Sequence, residues 1–226
     1  MIATGGTGAL GRAVVRAFLD GGDRVVVPWI VKAELDAISE GEAAARESGQ
    51  LTLVEADVAE AAGADALVAA AGPGEIEVVV NGVGGFGGGT PVHETELELW
   101  DRMYRMNLRT AVATSRAALP GMITRGAGVI LNVASQAALA RPAGLAAYSA
   151  SKDAVIVLTE TLQKEVAEHG IRVNAVSPAT IDTPANREAM PDADFAIWTP
   201  PARIAQVLTW LASDAAATVR GAVVPV

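Results

Sequence analysis

Hydrophobic and polar positions along the chain follow two alternating patterns. Short continuous apolar runs, rich in valine and isoleucine, are separated by longer alanine-rich segments whose apolar residues recur every three or four positions. A continuous apolar run predicts a parallel strand covered on both faces, and the longer spacing predicts an amphipathic helix. Strands are predicted at residues 24–27, 51–55, 77–81, 128–133, 171–176 and 222–226. Helices are predicted at residues 11–20, 32–47, 61–71, 97–119, 149–169 and 202–214.

The regular alternation of strands and helices indicates the fold class. Strand–helix–strand units build parallel sheets with helices on both faces, so the chain is predicted to be an α/β protein with a doubly wound, mostly parallel Rossmann-type sheet. Its 226 residues form one domain in this interpretation, and the glycine run at residues 84–89 is a loop inside it. Only three residues precede Thr4, so the first strand is predicted to be short.

Composition and charge exclude several classes of function. The chain has no cysteine and two histidines, which excludes disulfides and thiolate metal sites and argues against any metal centre. A net charge of −9 argues against a nucleic-acid surface, which needs clustered lysine and arginine. Charges or glycines interrupt every apolar run before it reaches the length of a membrane span, and the N-terminus does not resemble a secretory signal. A cytoplasmic, metal-free protein is expected.

Tyr148 and Lys152 carry the most informative chemistry. Residues four apart on a helix lie on one face, so the predicted helix places an ammonium beside a phenol. A cation at about 4 Å contributes roughly 4 kcal/mol at an effective dielectric near 20, which is expected to lower the pKa of Tyr148. Ser135 follows an apolar strand, where its hydroxyl would stabilise charge on a substrate oxygen. Such a set suits proton transfer during carbonyl reduction or alcohol oxidation.

A glycine-rich segment, Thr4-Gly5-Gly6-Thr7-Gly8-Ala9-Leu10-Gly11, opens the first predicted helix. Glycines permit positive φ and let a ligand approach the backbone closely. Free amide groups at the start of a helix, together with the helix dipole, favour an anion such as a dinucleotide pyrophosphate. In a chain of repeating strand–helix units, this placement favours cofactor binding over an ordinary tight turn.

In combination, these motifs resemble the short-chain dehydrogenase/reductase family, in its compact single-domain branch, and the resemblance runs nearly end to end. Thr4-Gly5-x-x-x-Ala9-x-Gly11 is similar to the cofactor turn of that family, with alanine at one glycine position. Asp57-Val58 resembles the pair that contacts adenine, and Asn81-Gly82-Val83-Gly84 resembles the motif after the fourth strand. Pro178-Ala179-Thr180-Ile181-Asp182-Thr183 resembles the segment beside the nicotinamide.

Four residues, Asn107, Ser135, Tyr148 and Lys152, match the catalytic tetrad of the family. The resemblance implies an NAD(P)-dependent oxidoreductase that transfers a hydride between a nicotinamide cofactor and a carbonyl or alcohol substrate, with Tyr148 as general acid or base. It also implies that Asn107 holds a water that relays protons from Lys152, and that the chain forms homodimers or homotetramers. The implied cofactor-binding residues are Thr4, Gly5, Thr7, Ala9, Leu10, Gly11, Asp57, Val58, Asn81, Gly82, Val83, Tyr148, Lys152, Pro178, Ile181 and Thr183.

The residues after the second predicted strand bear on the choice of cofactor. An acidic residue at the end of that strand would bind the ribose 2′-hydroxyl of NAD. Here no carboxylate precedes Glu34, and Lys32 is a candidate partner for a 2′-phosphate, with Arg12 as a second candidate cation. This pattern favours NADP over NAD, and the alternative for each cation is a solvated surface charge.

Residues 184–200 are expected to form a substrate lid, because apolar and aromatic side chains occur there among aspartate and proline. The alternative is a surface loop. The candidate substrate wall consists of Gln136, Ala137, Leu139, Leu145 and Trp198, and its composition indicates an uncharged, mostly apolar carbonyl compound or alcohol.

Two other classes of function stay open at this stage. One is an NAD(P)-binding regulator that senses redox state without turnover, and the other is a structural or interaction protein. In most proteins a tyrosine and a lysine at helical spacing form a surface pair. The conjunction of Tyr148 and Lys152 with Ser135 and the glycine turn favours the enzyme.

Overall fold

Seven parallel strands form one sheet in the computed structural model, which describes residues 1–72 and 74–226, without the side chains of residues 39–41. The order across the sheet is β3-β2-β1-β4-β5-β6-β7. The strands are β1 (Ile2–Thr4), β2 (Val25–Trp29), β3 (Leu51–Glu55), β4 (Val78–Asn81), β5 (Gly128–Val133), β6 (Ile171–Ser177) and β7 (Val223–Pro225). This sheet is the predicted doubly wound α/β arrangement.

Ten α-helices connect the strands within the described residues. They are α1 (Ala9–Asp20), α2 (Lys32–Gly41), α3 (Ala43–Glu47), α4 (Ala61–Ala71), α5 (Leu97–Tyr104), α6 (Thr110–Arg125), α7 (Gln136–Ala140), α8 (Ala146–Val166), α9 (Pro184–Ala189) and α10 (Pro201–Ala212). A π-helical turn at Arg105–Arg109 joins α5 to α6. Short 3-10 turns lie at Val92–Glu94, Ala167–His169, Phe195–Ile197 and Asp214–Ala216. None of the helices in this part of the chain is long and apolar enough to cross a membrane.

The core lies in two layers, one on each face of the sheet. Alternate residues of a strand point to opposite faces, so Val78 and Val80 of β4 pack with α1 and α10 while Val79 packs with α4, α6 and α8. Phe18 in α1 and Leu208 in α10 belong to the first layer. Because both faces are covered, the strands are apolar throughout, which explains their continuous hydrophobic runs.

The direction of the strand order reverses at β1, which pairs with β2 on one side and β4 on the other. Crevices beyond the carboxyl ends of strands at such a reversal are where open α/β sheets bind ligands. The β1 strand has three residues, as its position near the start of the sequence predicts. The backbone amide of Gly82 donates to both Thr4 O (3.1 Å) and Thr4 Oγ1 (3.2 Å), which ties the short strand to the end of β4.

A buried chain of amides and hydroxyls ties the sheet to the helices on one face. Asn81 donates through Nδ2 to Asn132 Oδ1 (2.8 Å) and Ser115 Oγ (3.0 Å). Asn132 in turn donates to Thr159 Oγ1 (2.8 Å). These bonds join β4, β5, α6 and α8, so the ends of the two central strands are held against the helices that approach the crevice.

Two long helices were predicted to be continuous, and in the structure both are interrupted. The segment at residues 32–47 breaks into α2 and α3, because Glu42 adopts φ −121° and ψ 30° after the glycine that ends α2. The segment at residues 97–119 is divided by the π-helical turn, and it continues through Pro120 to Arg125. Met122 beyond the proline is fully buried, and Arg125 donates to the carbonyls of Gly74, Ile76 and Ala127, so packing and end contacts extend α6.

Other boundaries differ by a few residues, as tertiary packing sets where elements end. The helix predicted at residues 149–169 begins at Ala146, and its final turn is a 3-10 turn. The strand predicted at residues 24–27 continues to Trp29, and β6 gains Ser177. α1 begins two residues before its predicted start, and α10 ends two residues before its predicted end. The short α7 is not predicted from the sequence.

Arg172 of β6 fixes the carboxyl end of α10. The residue is 7% exposed, and its guanidinium donates to the carbonyl oxygens of Leu211 (2.6 Å), Ala212 (3.0 Å), Ser213 (3.1 Å) and Ala216 (3.2 Å). The carbonyls of Leu211 and Ala212 end the helix and have no amide of a following turn to accept from. Those of Ser213 and Ala216 lie in the turn beyond it and also accept from Ala216 N (3.2 Å) and Val219 N (2.9 Å). The side chain thus satisfies four acceptors at once.

Replacing this buried guanidinium is expected to destabilise the protein. Arg172→Met removes the donors to Leu211 O and Ala212 O and leaves Ser213 O and Ala216 O with one backbone donor each. Unsatisfied buried polar groups cost about 1–3 kcal/mol each. We expect the free energy of unfolding, measured by urea denaturation, to fall by about 3 kcal/mol. Arg203→Met, an exposed position on α10, is the control and should change it by less than about 0.5 kcal/mol. Equal effects of the two substitutions would contradict the assignment.

Candidate active site

The glycine-rich turn between β1 and α1 packs against itself and against the end of β4. Gly5 has φ +68°, and a Cβ atom there would lie 2.6 Å from the carbonyl carbon of Gly82. A Cβ atom on Gly11 would overlap the carbonyl oxygen of Gly5. Larger residues at either position would push the turn away from β4, so these two glycines set the shape of the crevice.

The start of α1 presents free backbone amides to this crevice. Gly8 caps the helix without a side-chain bond, and the first intrahelical bond runs from Arg12 N to Gly8 O (2.9 Å). The amides of Ala9, Leu10 and Gly11 precede that bond and have no partner within the helix. A Cβ atom on Gly8 would meet only Gly5 O, at 3.5 Å, so the space in front is open. This geometry fits the pyrophosphate of a dinucleotide.

Two charged side chains reach the turn at Thr7. Glu34, in the first turn of α2, accepts a hydrogen bond from Thr7 Oγ1 at its Oε2 atom (2.6 Å). Arg12 donates through its NH1 group to Thr7 O (2.7 Å). Lys32, the predicted partner of a 2′-phosphate, begins α2 and is exposed. The sequence analysis did not identify Glu34 as a site residue, because it lies five residues beyond the end of β2.

The first turn of α8 is joined to the end of β5 by two polar contacts. The hydroxyls of Tyr148 and Ser135 are hydrogen-bonded to each other. Ser135 also caps α7, since its Oγ accepts from Ala137 N (3.2 Å). One turn along α8, Lys152 Nζ donates to Val133 O (2.8 Å). The structure therefore brings together three of the four residues of the predicted tetrad at the carboxyl end of β5.

Burial shifts the pKa values of Tyr148 and Lys152 in opposite directions. It raises the pKa of the Tyr148 phenol, and the hydrogen bond from Ser135 opposes that rise. It lowers the pKa of the Lys152 ammonium to about 8, because this side chain is only 5% exposed. The expectation that Lys152 lowers the pKa of Tyr148 is therefore wrong for this structure. The loss of water around the phenol outweighs the favourable contacts, and the ammonium is bonded to a backbone carbonyl.

Asn107, the fourth residue, lies buried in the π-helical turn between α5 and α6. Its amide clamps Gly85, accepting from Gly85 N (2.9 Å) and donating to Gly85 O (3.1 Å), and it also donates to Ser151 Oγ (2.9 Å). A Cβ atom on Gly84 would lie 2.9 Å from Asn107 Oδ1 and 3.0 Å from Lys152 Nζ. Asn107 Oδ1 and Lys152 Nζ thus face the same side of Gly84, where only a residue without a Cβ fits. Ser151 was missed by the sequence analysis, although it lies inside the Tyr–Lys motif.

The remaining predicted cofactor residues line the carboxyl edge of the sheet. Asp57 pairs with Arg105 (2.7 Å) after β3, and the Val58 side chain is buried in the core. Asn81 Oδ1 is a buried acceptor with no hydrogen-bond partner among the described atoms. An orphaned acceptor beside the glycine turn fits a site that a polar ligand completes. Four further positions lie in the segments that follow β4 and β6, namely Val83, Pro178, Ile181 and Thr183.

The candidate substrate residues have different surroundings. Gln136 and Ala137 open α7, and Leu145 lies against Gly88, where a Cβ atom would be 2.5 Å from Leu145 Cδ2. Leu139 is exposed. Trp198 is buried and packs on Phe195, with ring centroids 4.7 Å apart.

An aromatic side chain that the sequence analysis missed lies beside the phenol. The ring of Phe86 contacts the ring of Tyr148 edge to face, with centroids 5.1 Å apart, and it is 67% exposed. The signal in the sequence was a lone phenylalanine within the glycine run at residues 84–89. Gly89 N donates to Gly144 O (2.8 Å), so Asn107 at Gly85 and Gly144 at Gly89 hold this loop on both sides of Phe86.

Comparison with known proteins identifies the family. A model of the family described as short chain dehydrogenase matches residues 1–194 of this chain. The chain belongs to the short-chain dehydrogenase/reductase family and is an NAD(P)-dependent oxidoreductase.

Named relatives support this assignment. A galactitol 2-dehydrogenase from Rhizobium johnstonii is 37% identical, over all of this chain and 92% of its own length. A 2-(R)-hydroxypropyl-CoM dehydrogenase from Xanthobacter autotrophicus is 38% identical over 81% of this chain and 74% of its own length. An L-xylulose reductase from Bos taurus is 31% identical over all of this chain and 93% of its own length. These names give no support to a regulator without turnover.

Solved structures share the fold over the whole chain. The crystal structure of gox2181 superposes with a TM-score of 0.90 at 28% identity, covering all of this chain and 92% of that one. Levodione reductase also superposes with a TM-score of 0.90, at 26% identity and 94% coverage of its chain. The seven-stranded sheet is therefore the Rossmann-type sheet of this family.

Burial of Lys152 predicts a pH-dependent contribution to stability. Its pKa falls from 10.5 to about 8 on folding, so between these values the unfolded chain binds more protons than the folded one. The stability of the wild type relative to Lys152→Met should therefore rise as the pH increases from about 8 towards 10.5. One pKa unit corresponds to about 1.4 kcal/mol, which gives a total rise of about 3 kcal/mol.

Denaturant unfolding at about pH 7.5 and about pH 10 measures this difference. Lys164→Met, at an exposed lysine of the same helix, is the matched control and should show no such trend. A constant difference between the wild type and Lys152→Met across this range would show that Lys152 is not buried as described.

Proposed function

We propose that the protein interconverts a secondary alcohol and a ketone, with Tyr148 as the general acid in reduction and the general base in oxidation. The observation that carries the proposal is the hydrogen-bonded pair of Ser135 and Tyr148 hydroxyls at the carboxyl end of β5. When bound, the nicotinamide cofactor would supply or accept the hydride. A substrate oxygen placed at the hydroxyl pair would contact both a hydrogen-bond donor and a proton source.

The two hydroxyls have separate tasks in this proposal. Ser135 donates a hydrogen bond to the substrate oxygen and stabilises the negative charge that develops there during reduction. Tyr148 is a neutral phenol at neutral pH because burial raises its pKa, so it holds the proton that the oxygen needs. In the oxidation direction the same oxygen of Tyr148 receives the proton of the alcohol.

Lys152 and Asn107 are proposed to return protons to Tyr148. The amine of Lys152 has a pKa of about 8 and can gain or lose a proton near neutral pH. Asn107 Oδ1 and Lys152 Nζ lie on the same side of Gly84, where the amide can hold a water. Ser151 is a positioning residue in this scheme, because its hydroxyl accepts from Asn107 Nδ2 and fixes which way the amide faces.

The dinucleotide is proposed to lie across the carboxyl ends of the strands from β2 to β5. The free amides of α1 would hold its pyrophosphate, and Asn81 Oδ1 offers an unused acceptor. The residues proposed to contact it are those that the family resemblance implies, namely Thr4, Gly5, Thr7, Ala9, Leu10, Gly11, Asp57, Val58, Asn81, Gly82, Val83, Tyr148, Lys152, Pro178, Ile181 and Thr183. The sequence-based preference for NADP rests on Lys32. Its side chain is exposed and would have to turn toward a 2′-phosphate to bind it.

Residues 184–200 are proposed to be a substrate lid over one end of the crevice. The amide of Thr199 donates to Thr180 O, and the carbonyl of Thr199 accepts from Asp182 N, both at 3.0 Å. The two ends of the segment therefore lie together. Between them are α9 and a 3-10 turn, and the exposed side chains of Met190 and Ile197 are apolar. Gln136, Ala137, Leu145 and Trp198 remain the proposed substrate residues.

The names of relatives point to a class of substrate. Galactitol 2-dehydrogenase, 2-(R)-hydroxypropyl-CoM dehydrogenase and cis-4-hydroxycyclohexanecarboxylate dehydrogenase are each named for a secondary alcohol. The rest of those molecules differs greatly, which supports a shared reaction rather than a shared substrate. We propose a secondary alcohol or ketone that carries an apolar group next to the reacting carbon. The apolar side chains of Phe86, beside Tyr148, and Leu145, beside Gly88, support this choice.

Assembly and location are proposed from the sequence and the surface. Leu97, Val112 and Val157 are exposed apolar residues on α5, α6 and α8, which supports pairing of two copies through these helices. A homodimer or homotetramer in the cytoplasm, with a small-molecule substrate, stays a prediction.

Tyr148→Phe tests the proposed chemistry. The substitution removes the proton donor but keeps the ring, so turnover of a secondary alcohol should fall at least about 100-fold while the cofactor Kd changes less than about twofold. NAD(P)H absorbance measures turnover, and NAD(P)H fluorescence measures binding. Tyr104→Phe is the matched control, because Tyr104 on α5 is the other tyrosine of the chain and lies outside the site. Undiminished turnover by Tyr148→Phe would remove this residue from the mechanism.

A further inference from the structure

The carboxylate of Glu34, from the segment that follows β2, is hydrogen-bonded to the hydroxyl of Thr7 in the glycine turn. We propose that Glu34 selects NAD over NADP by accepting hydrogen bonds from the ribose hydroxyls and by repelling a 2′-phosphate. This inference rests on the proposed function, because it requires a dinucleotide on the glycine turn. It is opposite to the preference expected from Lys32.

The position of Glu34 is fixed by a hydrogen bond within the turn. Thr7 is 5% exposed, and its hydroxyl donates to Glu34 Oε2 at 2.6 Å. This bond uses one of the two carboxylate oxygens. The carboxylate therefore stays beside the turn, and Oε1 is available to accept from a ligand.

The connection from β2 to α2 brings this residue to the adenosine end of the crevice. β2 ends at Trp29, and Val31 caps α2 by accepting from the amides of Glu34 and Leu35, both at 3.1 Å. Glu34 thus sits in the first helical turn beyond the carboxyl end of β2. In doubly wound folds, an acidic group near this strand end accepts the ribose 2′-hydroxyl of NAD. Trp29 at the strand end itself has no carboxylate, so that role falls to Glu34.

The nearby cations are badly placed to cancel this charge. Residues two apart on a helix do not share a face, so Lys32 is directed away from Thr7 when Glu34 faces it. Arg12 reaches the turn, but its NH1 group donates to Thr7 O (2.7 Å), whereas the Glu34 carboxylate accepts from the Thr7 hydroxyl. A 2′-phosphate would bring about two further negative charges next to the Glu34 carboxylate.

Fluorescence titration of the full chain with NADH and with NADPH tests the inference without any substrate. We expect the wild type to bind NADH at least about tenfold more tightly than NADPH. Glu34→Gln keeps the shape of the side chain and removes its charge, so this ratio should fall at least about tenfold, mainly through tighter binding of NADPH. Asp36→Asn is the matched control, since it makes the same change of charge on α2 two residues further on, and it should leave the ratio unchanged.

The other outcomes each overturn the inference in a distinct way. Tighter binding of NADPH by the wild type, lost in Lys32→Ala, would assign the choice to Lys32. An equal shift of the ratio in Asp36→Asn would make it a general effect of net charge. An unchanged ratio in Glu34→Gln would exclude any role for this carboxylate. If a folded wild type bound neither dinucleotide, the proposed function would fail as well, which distinguishes that result from the others.

Discussion

The close approach of the turn after β1 to the loop after β4 is the constraint on which the site depends. Gly5 and Gly82 are so near that a single Cβ atom does not fit between their backbones. β1 has only three residues, so its carboxyl end is held in place by the bonds that Thr4 makes to Gly82 rather than by its own length. The loop that follows β4 starts at this contact and continues to Gly84 and Gly85 beside Lys152 and Asn107.

Burial gives the two ionisable residues of the proposed catalytic site, Tyr148 and Lys152, their chemical character. It favours the neutral form of both groups, raising the pKa of Tyr148 and lowering that of Lys152 to about 8. A neutral phenol keeps its proton until a substrate oxygen demands it, and an amine close to its pKa exchanges protons readily. The hydrogen bonds of Ser135 and Val133 then fix where these two groups point. Electrostatic attraction between Tyr148 and Lys152, which their spacing alone suggests, is therefore secondary to the removal of water.

Much of the fold could be predicted because parallel strands buried on both faces leave a clear signal. β3, α4 and β5 have the predicted boundaries, since each is a short segment in which apolar residues predominate. The passage of α6 through Pro120 could not be predicted, because distant contacts decide it. Arg125, for example, meets carbonyls about fifty residues earlier in the chain.

Part of the candidate site could likewise be predicted from the sequence, and part could not. Ser135, Tyr148 and Lys152 were found from the sequence because their spacing places them at one strand end, and the structure brings them together there. Glu34 and Phe86 were not found, because Glu34 lies five residues beyond the end of β2 and a single phenylalanine in a glycine run does not show what it contacts. Each becomes visible only when a second segment of the chain, Thr7 or Tyr148, is packed against it.

The π-helical turn at Arg105–Arg109 has a consequence for how this protein can vary. Such a turn contains one residue more than a regular helix of the same rise, and it directs Asn107 inward to Gly85 and Ser151. Removing one residue here would restore regular winding and leave α5 and α6 on their present faces. The bulge would be lost, and Asn107 would lose the position from which it reaches Gly85 and Ser151. The number of residues in this segment therefore fixes the position of Asn107. A one-residue deletion here is expected to displace Asn107 more than most substitutions in the segment would.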